Sequence, residues 1–234
     1  LLLSLSASSP FLGGQLTGHH SQRWRQFPLT PRQVPLFRDH PHYTRWVEQR
    51  LADGQMRNER HLWTSVRPNG PRRPYELNRL ELRICDLITD PAELLAITAL
   101  LELRLMDLRD DPQLLDPLVA SQLSAAELAE LADSNDAAAA RSSLEATLNH
   151  WRDGRAVTCR AWIADVLGQV SPRAEALGLS ARLRPLTRLL ESGNQAMRWT
   201  AAIEQGCSIG DLLQQGSADQ VAECREMARR LREE

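Results

Sequence analysis

The chain has 234 residues, of which 42% are hydrophobic and 25% are charged, and its formal net charge is −2. This length is enough for one large domain or two small ones with a buried core. The near-neutral charge gives no general attraction to nucleic acid or to an anionic membrane, and no segment has the roughly 20 apolar residues that span a bilayer. We therefore expect a globular protein that binds neither nucleic acid nor membrane. Its four cysteines lack CxxC spacing, which favours reduced thiols and a cytoplasmic location.

The first 89 residues contain short apolar runs separated by proline and glycine. Residues 1–5 predict a strand that leads into a loop over residues 6–14. Because the chain opens on Leu1 in the middle of this pattern, we expect it to be part of a longer protein. A helix is predicted over residues 41–51, since Asp53 and Gly54 form a stop signal directly after it.

Two further strands, over residues 61–67 and 75–86, are predicted to form a hairpin, because the segment between them is rich in turn-forming residues. In the second strand, Leu80, Leu82 and Ile84 alternate with polar residues and are expected to face the core.

Glu81 and Arg83 would then project together from the opposite face of that strand, about 6.5–7 Å apart. A carboxylate and a guanidinium at this spacing could hold a Mg²⁺ ion and a phosphate bound to that ion. The alternative is a solvent-exposed strand face whose charges pair across the hairpin. The residues alone leave both interpretations open.

The loop over residues 6–14 continues into a segment that ends at Arg23. Its small residues and glycines would let backbone N–H groups approach an anion, and Arg23 could add charge. The loop lacks the Gly-Lys-Ser/Thr of a Walker A motif, so an ordinary tight surface loop is the alternative.

After residue 90 the hydrophobic pattern is helical. Asp90 followed by Pro91 predicts the start of a helix that runs to residue 109, and Ser124 with Glu127 predicts a capping box. Helices are predicted over residues 91–109, 124–132, 135–151, 159–170, 172–177, 181–191, 195–205 and 218–232. The chain therefore divides into residues 1–89, with strands and loops, and residues 90–234, which are mainly helical.

Five short motifs occur along the chain. They are Ser6-Ala7-Ser8-Ser9-Pro10-Phe11, the Gly-x-x-Thr-Gly-x-x-Ser-x-Arg run from Gly14 to Arg23, the Trp-x-x-Val-Arg-Pro strand from Trp63 to Pro68, Leu80-Glu81-Leu82-Arg83-Ile84-Cys85-Asp86, and Gly193-Asn194-Gln195-Ala196-Met197-Arg198. With these motifs in this order, essentially the whole chain resembles the type 2 glutamate–cysteine ligases and related carboxylate–amine ligases, and their cyanobacterial branch above all.

The resemblance implies an α+β fold: part of a glutamine-synthetase-like antiparallel sheet over residues 1–89, followed by the helical region packed on it. It also implies an enzyme that uses ATP and Mg²⁺, or Mn²⁺, to phosphorylate the γ-carboxylate of glutamate. The amine of cysteine would then attack, in the first step of glutathione synthesis. The implied partners are these small molecules, and a homo-oligomer is compatible with the resemblance.

The resemblance also implies roles for individual residues. Glu81 is expected to be a metal ligand, and Arg83 to contact an ATP phosphate or the acyl phosphate. Arg23 is expected to bind a phosphate or a substrate carboxylate. The nucleotide-binding residues expected from the motifs are Ser8, Ser9, Arg67 and Arg83.

Two departures from the family pattern limit these expectations. The family's glutamate-rich strand and its His-Val-His strand are absent, so this chain alone is expected to be inactive. Ser8 also occupies a position where asparagine is common. Two alternatives follow: a ligase of the same chemistry acting on another acid and amine, and a non-catalytic scaffold derived from such a ligase.

Overall fold

The computed structural model describes residues 1–22, 34–58, 66–68 and 80–233, and the fold within these ranges is α+β, as predicted. The N-terminal part consists of helix α1 (Leu2–Ser6), strands β1 (Phe11–Leu12) and β2 (Gln15–Leu16), helix α2 (His40–Ala52), and strands β3 (Val66–Pro68) and β4 (Leu80–Leu82). Each strand pair forms a two-stranded antiparallel sheet.

The remaining elements are mostly helices. They are α3 (Pro91–Asp110), α4 (Pro112–Leu115), α5 (Pro117–Ala120), α6 (Ala125–Ser142), a 3₁₀ turn (Ser143–Glu145), β5 (Thr147–Asn149), β6 (Ala156–Thr158), α7 (Cys159–Ala176), α8 (Ser180–Ser192), α9 (Gln195–Glu204) and α10 (Ile209–Glu233). Strands β5 and β6 pair in an antiparallel hairpin. Among the described residues, no helix is both long enough and apolar enough to cross a bilayer.

The strand predicted over residues 1–5 is wrong, because this segment forms helix α1. The backbone N–H of Leu5 donates to the carbonyl of Leu1, and the hydroxyl of Ser6 donates to the carbonyl of Leu2. Leu3, Ser4, Leu5 and Ser6 are all buried. A short segment that is buried on every side has no periodicity that would distinguish a helix from a strand.

Two helix starts were predicted from their caps and are confirmed, but the start predicted at residue 218 is wrong, because α10 already begins at Ile209. Asp90 caps α3 through its side chain, and Ser124 forms the predicted capping box with Glu127 at the start of α6. The predicted break between residues 132 and 135 does not occur, since α6 continues to Ser142. The predicted break near Pro172 is also wrong, because α7 runs through that proline.

A helix was predicted over residues 135–151, but the end of that range is a 3₁₀ turn followed by strand β5. Helix α6 ends where Ser143 adopts a positive φ of 43°. Asn135 then holds the strand to the helix, since its side chain both donates to the carbonyl of Asn149 and accepts from the N–H of that residue.

One hydrophobic cluster joins the two parts of the chain. It contains Leu3 and Leu5 of α1 and Ile84 after β4, and it continues through the helices with Leu103, Leu144, Ile163, Leu186 and Leu189. A separate small cluster forms around Tyr43, Val47 and Met56. The division at residue 90 stays a prediction, but α1 and the segment after β4 are fixed on the helical core.

Asn194 connects two segments that are 190 residues apart in the chain. Its side chain is buried, with 1% exposure, and caps α9 by accepting from the N–H of Met197 at 3.0 Å. Its amide group also donates to the carbonyl of Ser4 at 2.7 Å. The N–H of Ala196 donates to the carbonyl of Ala7, so the start of α9 holds the end of α1 in place.

We predict that Asn194→Ala lowers the free energy of unfolding by about 2–3 kcal/mol, because it removes a helix cap and leaves a buried carbonyl without its donor. Ser124→Ala is the matched control, since it removes an exposed cap only, and it should cost about 1 kcal/mol. Urea denaturation measures both values. Equal losses in the two variants would contradict the connecting role of Asn194.

Candidate active site

The hairpin of β3 and β4 carries the residues predicted to bind metal and nucleotide. Its register pairs Arg67 directly with Glu81, and Val66 with Leu82. Glu81 and Arg83 are both half-buried, with Arg83 just beyond the end of β4. The paired strands place a carboxylate and an arginine at opposed backbone positions.

The predicted alternation along this strand is partly confirmed. Ile84 is buried at 2% exposure, whereas Leu82, which was expected in the core, is 39% exposed. The strand ends at Leu82, so the period of two residues does not continue from Leu82 to Ile84.

Asp86 is the centre of a hydrogen-bond network that the sequence did not reveal. Its side chain is buried, with one oxygen accepting from the hydroxyl of Ser9 at 2.8 Å and from the N–H of Ser8 at 3.2 Å. The other oxygen accepts from the hydroxyl of Ser21 at 3.0 Å. The N–H of Asp86 in turn donates to the hydroxyl of Ser6 at 3.1 Å. Hydroxyl and backbone donors thus stabilise a carboxylate that would be costly to bury without them.

The predicted nucleotide-binding residues Ser8 and Ser9 are both part of this network. The hydroxyl of Ser8 donates to the carbonyl of Leu87 at 2.7 Å, and the N–H of Ser9 donates to the carbonyl of His20. In this conformation the N–H and hydroxyl donors of both serines are therefore used within the protein. Their contact with a nucleotide stays a prediction.

The two glycines of the loop have a local conformational role. Gly13 and Gly14, with φ values of 59° and 77°, form the two-residue turn between β1 and β2. Two consecutive positive φ angles suit a tight hairpin turn and favour glycine at both positions.

The structure brings together some of the predicted site residues. Asp86 holds Ser8 and Ser9 against the segment that carries Glu81 and Arg83. Arg23 lies outside the described residues. For Arg67 only the backbone is described, so the predicted role of its side chain stays a prediction.

The part of the chain that the structure describes does not by itself form a complete metal site. Within residues 1–22, 34–58, 66–68 and 80–233, no group of three or more His, Cys, Asp or Glu side chains is arranged to hold a metal ion. Glu81 could contribute one carboxylate ligand, whereas Mg²⁺ prefers near-octahedral oxygen coordination.

A second feature that the sequence did not reveal is a cleft of about 280 Å³ between the start of α3 and helices α9 and α10. Arg198 lines it, donating to the carbonyl of Gly193 at 2.6 Å and to Glu93 at 3.3 Å. Burial raises the pKa of Glu93, and the charge of Arg198 opposes that rise. Helix α10 packs closely against α9 at Gly216, where a Cβ atom would lie 3.0 Å from the ring of Trp199.

These observations define an α+β protein in which a strand hairpin and a serine loop are anchored to a helical body. The model of glutamate-cysteine ligase family 2 (GCS2) matches residues 1–223. The chain belongs to this family of carboxylate–amine ligases.

Individual relatives agree with the family match. The chain is 30% identical over 217 residues to "Putative glutamate--cysteine ligase 2" of Gloeobacter violaceus. The aligned region covers 89% of this chain and 54% of that protein. It is also 30% identical over 223 residues to the protein of the same name from Sorangium cellulosum, covering 92% of this chain and 56% of the relative. The chain thus spans about half the length of the curated relatives it matches.

His20 gives a testable pH dependence near the network. Its Nδ1 atom lies 2.6 Å from the hydroxyl of Ser143. Its backbone N–H donates to the carbonyl of Ala140 at the end of α6. Burial lowers the pKa of His20; the carboxylate of Glu145 opposes this effect, and the charge of His19 adds to it. The folded state therefore favours neutral His20.

We predict that His20 contributes a fall in the free energy of unfolding as the pH drops through about 6.5, because the unfolded state then binds a proton that folded His20 resists. His20→Asn should reduce the loss measured by urea denaturation between about pH 7.5 and pH 5.5. Ser143→Ala keeps the histidine, so its pH dependence should persist. An unchanged pH dependence in His20→Asn would contradict this assignment.

Proposed function

We propose that the protein containing this chain is a Mg²⁺- and ATP-dependent glutamate–cysteine ligase. In the proposed reaction, the γ-carboxylate oxygen of glutamate attacks the terminal phosphorus of ATP, and ADP leaves. The amine of cysteine then attacks the carbonyl of the γ-glutamyl phosphate, phosphate leaves, and the nitrogen loses a proton to form the amide. The match of the family model to residues 1–223 carries this proposal.

The hairpin geometry supports roles for two residues in this reaction. Glu81, half-buried and paired with Arg67 in the backbone register, is proposed as one ligand of Mg²⁺. Bound Mg²⁺ would supply positive charge at the phosphates of ATP. Arg83 is proposed to bind the transferring phosphoryl group, since a planar guanidinium can donate two parallel hydrogen bonds to phosphate oxygens.

Other parts of the proposal concern the whole protein. Arg23 and Arg67 are proposed to add positive charge around the phosphates and substrate carboxylates. The remaining metal ligands would come from the half of the relatives' length that this chain does not span. The proposed substrates are glutamate and cysteine, because these are the substrates in the relatives' names.

The test is to express the protein from its complete coding sequence and to measure ADP release with glutamate, cysteine, ATP and Mg²⁺. ADP release should require both amino acids. A panel of other acids and amines, assayed in the same way, distinguishes a ligase with another substrate pair. Absence of ADP release with every pair would contradict the proposal and favour a non-catalytic scaffold.

We predict that Glu81→Gln lowers kcat by about a hundredfold or more, because the neutral amide is a poor ligand for a hard cation. Its thermal unfolding midpoint should stay close to that of the unmodified protein. Glu130→Gln, at an exposed position on α6, is the matched control and should retain full activity. A large fall in the unfolding midpoint with normal activity per folded molecule would show that Glu81 is structural.

We predict that Arg83→Lys lowers kcat/KM by about tenfold to a hundredfold, because lysine keeps the charge but cannot form the bidentate contact. Arg182→Lys, on the exposed face of α8, serves as the control and should have no effect. Near-normal use of ATP by the Arg83 variant would exclude the proposed phosphate contact.

A further inference from the structure

The carboxylate of Asp86 joins its own segment to two segments that lie at least 65 residues earlier in the chain. Ser8 and Ser9 are 78 and 77 residues away from it, and Ser21 is 65 residues away. Asp86 itself follows Glu81 and Arg83 by only a few residues in the same motif. The network therefore fixes the position of the serine loop relative to the strand proposed to bind metal and phosphate.

We propose that Asp86 is a positioning residue for the nucleotide half of the active site, an inference that rests on the proposed ligase function. Asp86 holds residues 6–10 in the geometry that accommodates ATP. It acts through the loop and makes no contact with the nucleotide itself.

The burial of Asp86 supports a positioning role. Its side chain is 7% exposed, and its hydrogen-bond partners among the described residues are hydroxyl and backbone N–H groups. A buried carboxylate that loses these donors becomes unfavourable, and the loop that loses the carboxylate has unpaired buried donors. The loop and the carboxylate therefore stabilise one conformation together.

Contacts on both sides of the network restrict the same loop. The carbonyl of Ala7 accepts from the N–H of Ala196 in α9. On the other side, Ser9 pairs with Ser21 in a short parallel bridge, and the N–H of Gln22 donates to the carbonyl of Ser9. A loop held at successive residues is preorganised, and preorganised sites bind their ligands at lower entropic cost.

The same contacts suggest how Ser8 and Ser9 contribute to the site. Their four donors are directed to Asp86, Leu87 and His20. A phosphate accepts hydrogen bonds, so it could take one from these serines only if an internal bond were broken. In this conformation both serines therefore shape the loop through Asp86, and the predicted direct contact with a nucleotide would require one of these internal bonds to break.

The experiment compares variants of the complete protein in the ADP-release assay, with ATP varied at saturating glutamate and cysteine. Asp86→Ala should raise KM for ATP by about tenfold or more, because the loop loses its hydrogen bonds to a charged group. The KM values for glutamate and cysteine should stay within about twofold of those of the unmodified protein. A general structural defect would instead lower the active fraction without changing KM for ATP selectively.

Asp86→Asn is the conservative variant. Its amide oxygen can still accept from Ser8 and Ser9, and its amide nitrogen can face Ser21, whose hydroxyl can rotate to accept. This variant should therefore recover most of the ATP affinity lost in Asp86→Ala. Ser21→Ala, which keeps Asp86 intact, should raise KM for ATP less than Asp86→Ala does.

Two controls are matched to these changes. Ser171→Ala removes an exposed hydroxyl that donates to the carbonyl of Leu167, and Asp153→Asn neutralises an exposed carboxylate. Both should leave KM for ATP unchanged. A normal KM for ATP in folded Asp86→Ala would overturn the inference, and if that variant does not fold, a normal KM in Ser21→Ala would do so.

Hydrogen exchange distinguishes failure of this inference from failure of the proposed function. If the unmodified protein releases no ADP with any substrate pair, the proposed function fails, and with it the role of Asp86 in ATP binding. The loop contacts can still be measured: backbone N–H groups of residues 6–22 should exchange faster in Ser21→Ala than in Ser171→Ala. Equal protection in the two variants would overturn the positioning role, whatever the activity.

Discussion

A buried carboxylate must be surrounded by donors, and meeting this requirement at Asp86 fixes the serine loop and Ser21 against the segment that follows β4. Three serines from two segments donate to its carboxylate: Ser9 and Ser21 through their hydroxyls, and Ser8 through its backbone N–H. Each donor lies at least 65 residues away in sequence, so the network closes long loops. The hydrogen bonds help to offset the conformational entropy that is lost when these loops close. The hairpin, the serine loop and the segment after it are thereby brought to one place.

The hydrophobic cluster provides the rigid support for this arrangement. Leu3 and Leu5 lie directly before the serine loop, and Ile84 lies two positions before Asp86. The serine loop and the segment of Asp86 are therefore next to residues anchored in the core, and Ser21 is held instead by its backbone N–H, which donates to the carbonyl of Ala140 at 3.0 Å. Asn194 adds a further connection by joining α1 to the start of α9. Since packed side chains permit little displacement, the residues of the network are held in fixed positions relative to the helices.

Sequence reasoning predicted local features well and long-range ones poorly. The starts of α3 and α6 were predictable because Asp90 and Ser124 make contacts within three residues of themselves. Helix α1 was not, because full burial removes the periodic pattern, and strand β5 was not, because Asn135 holds it from another element. For the site, Glu81 and Arg83 were identified by resemblance. The network around Asp86 depends on the tertiary fold, and the sequence shows only an aspartate at the end of the strand predicted over residues 75–86.

The same motif contains two carboxylates, and their surroundings favour different roles. Asp86 already accepts three hydrogen bonds, so it could coordinate a cation only by giving up donors that stabilise its burial. Glu81 is half-buried on the strand that pairs with β3 at Arg67. A hydrated cation reaches a half-buried carboxylate more readily than a carboxylate that is 7% exposed and accepts three hydrogen bonds. This difference favours Glu81 as the proposed metal ligand and Asp86 as the residue that holds the serine loop close to it.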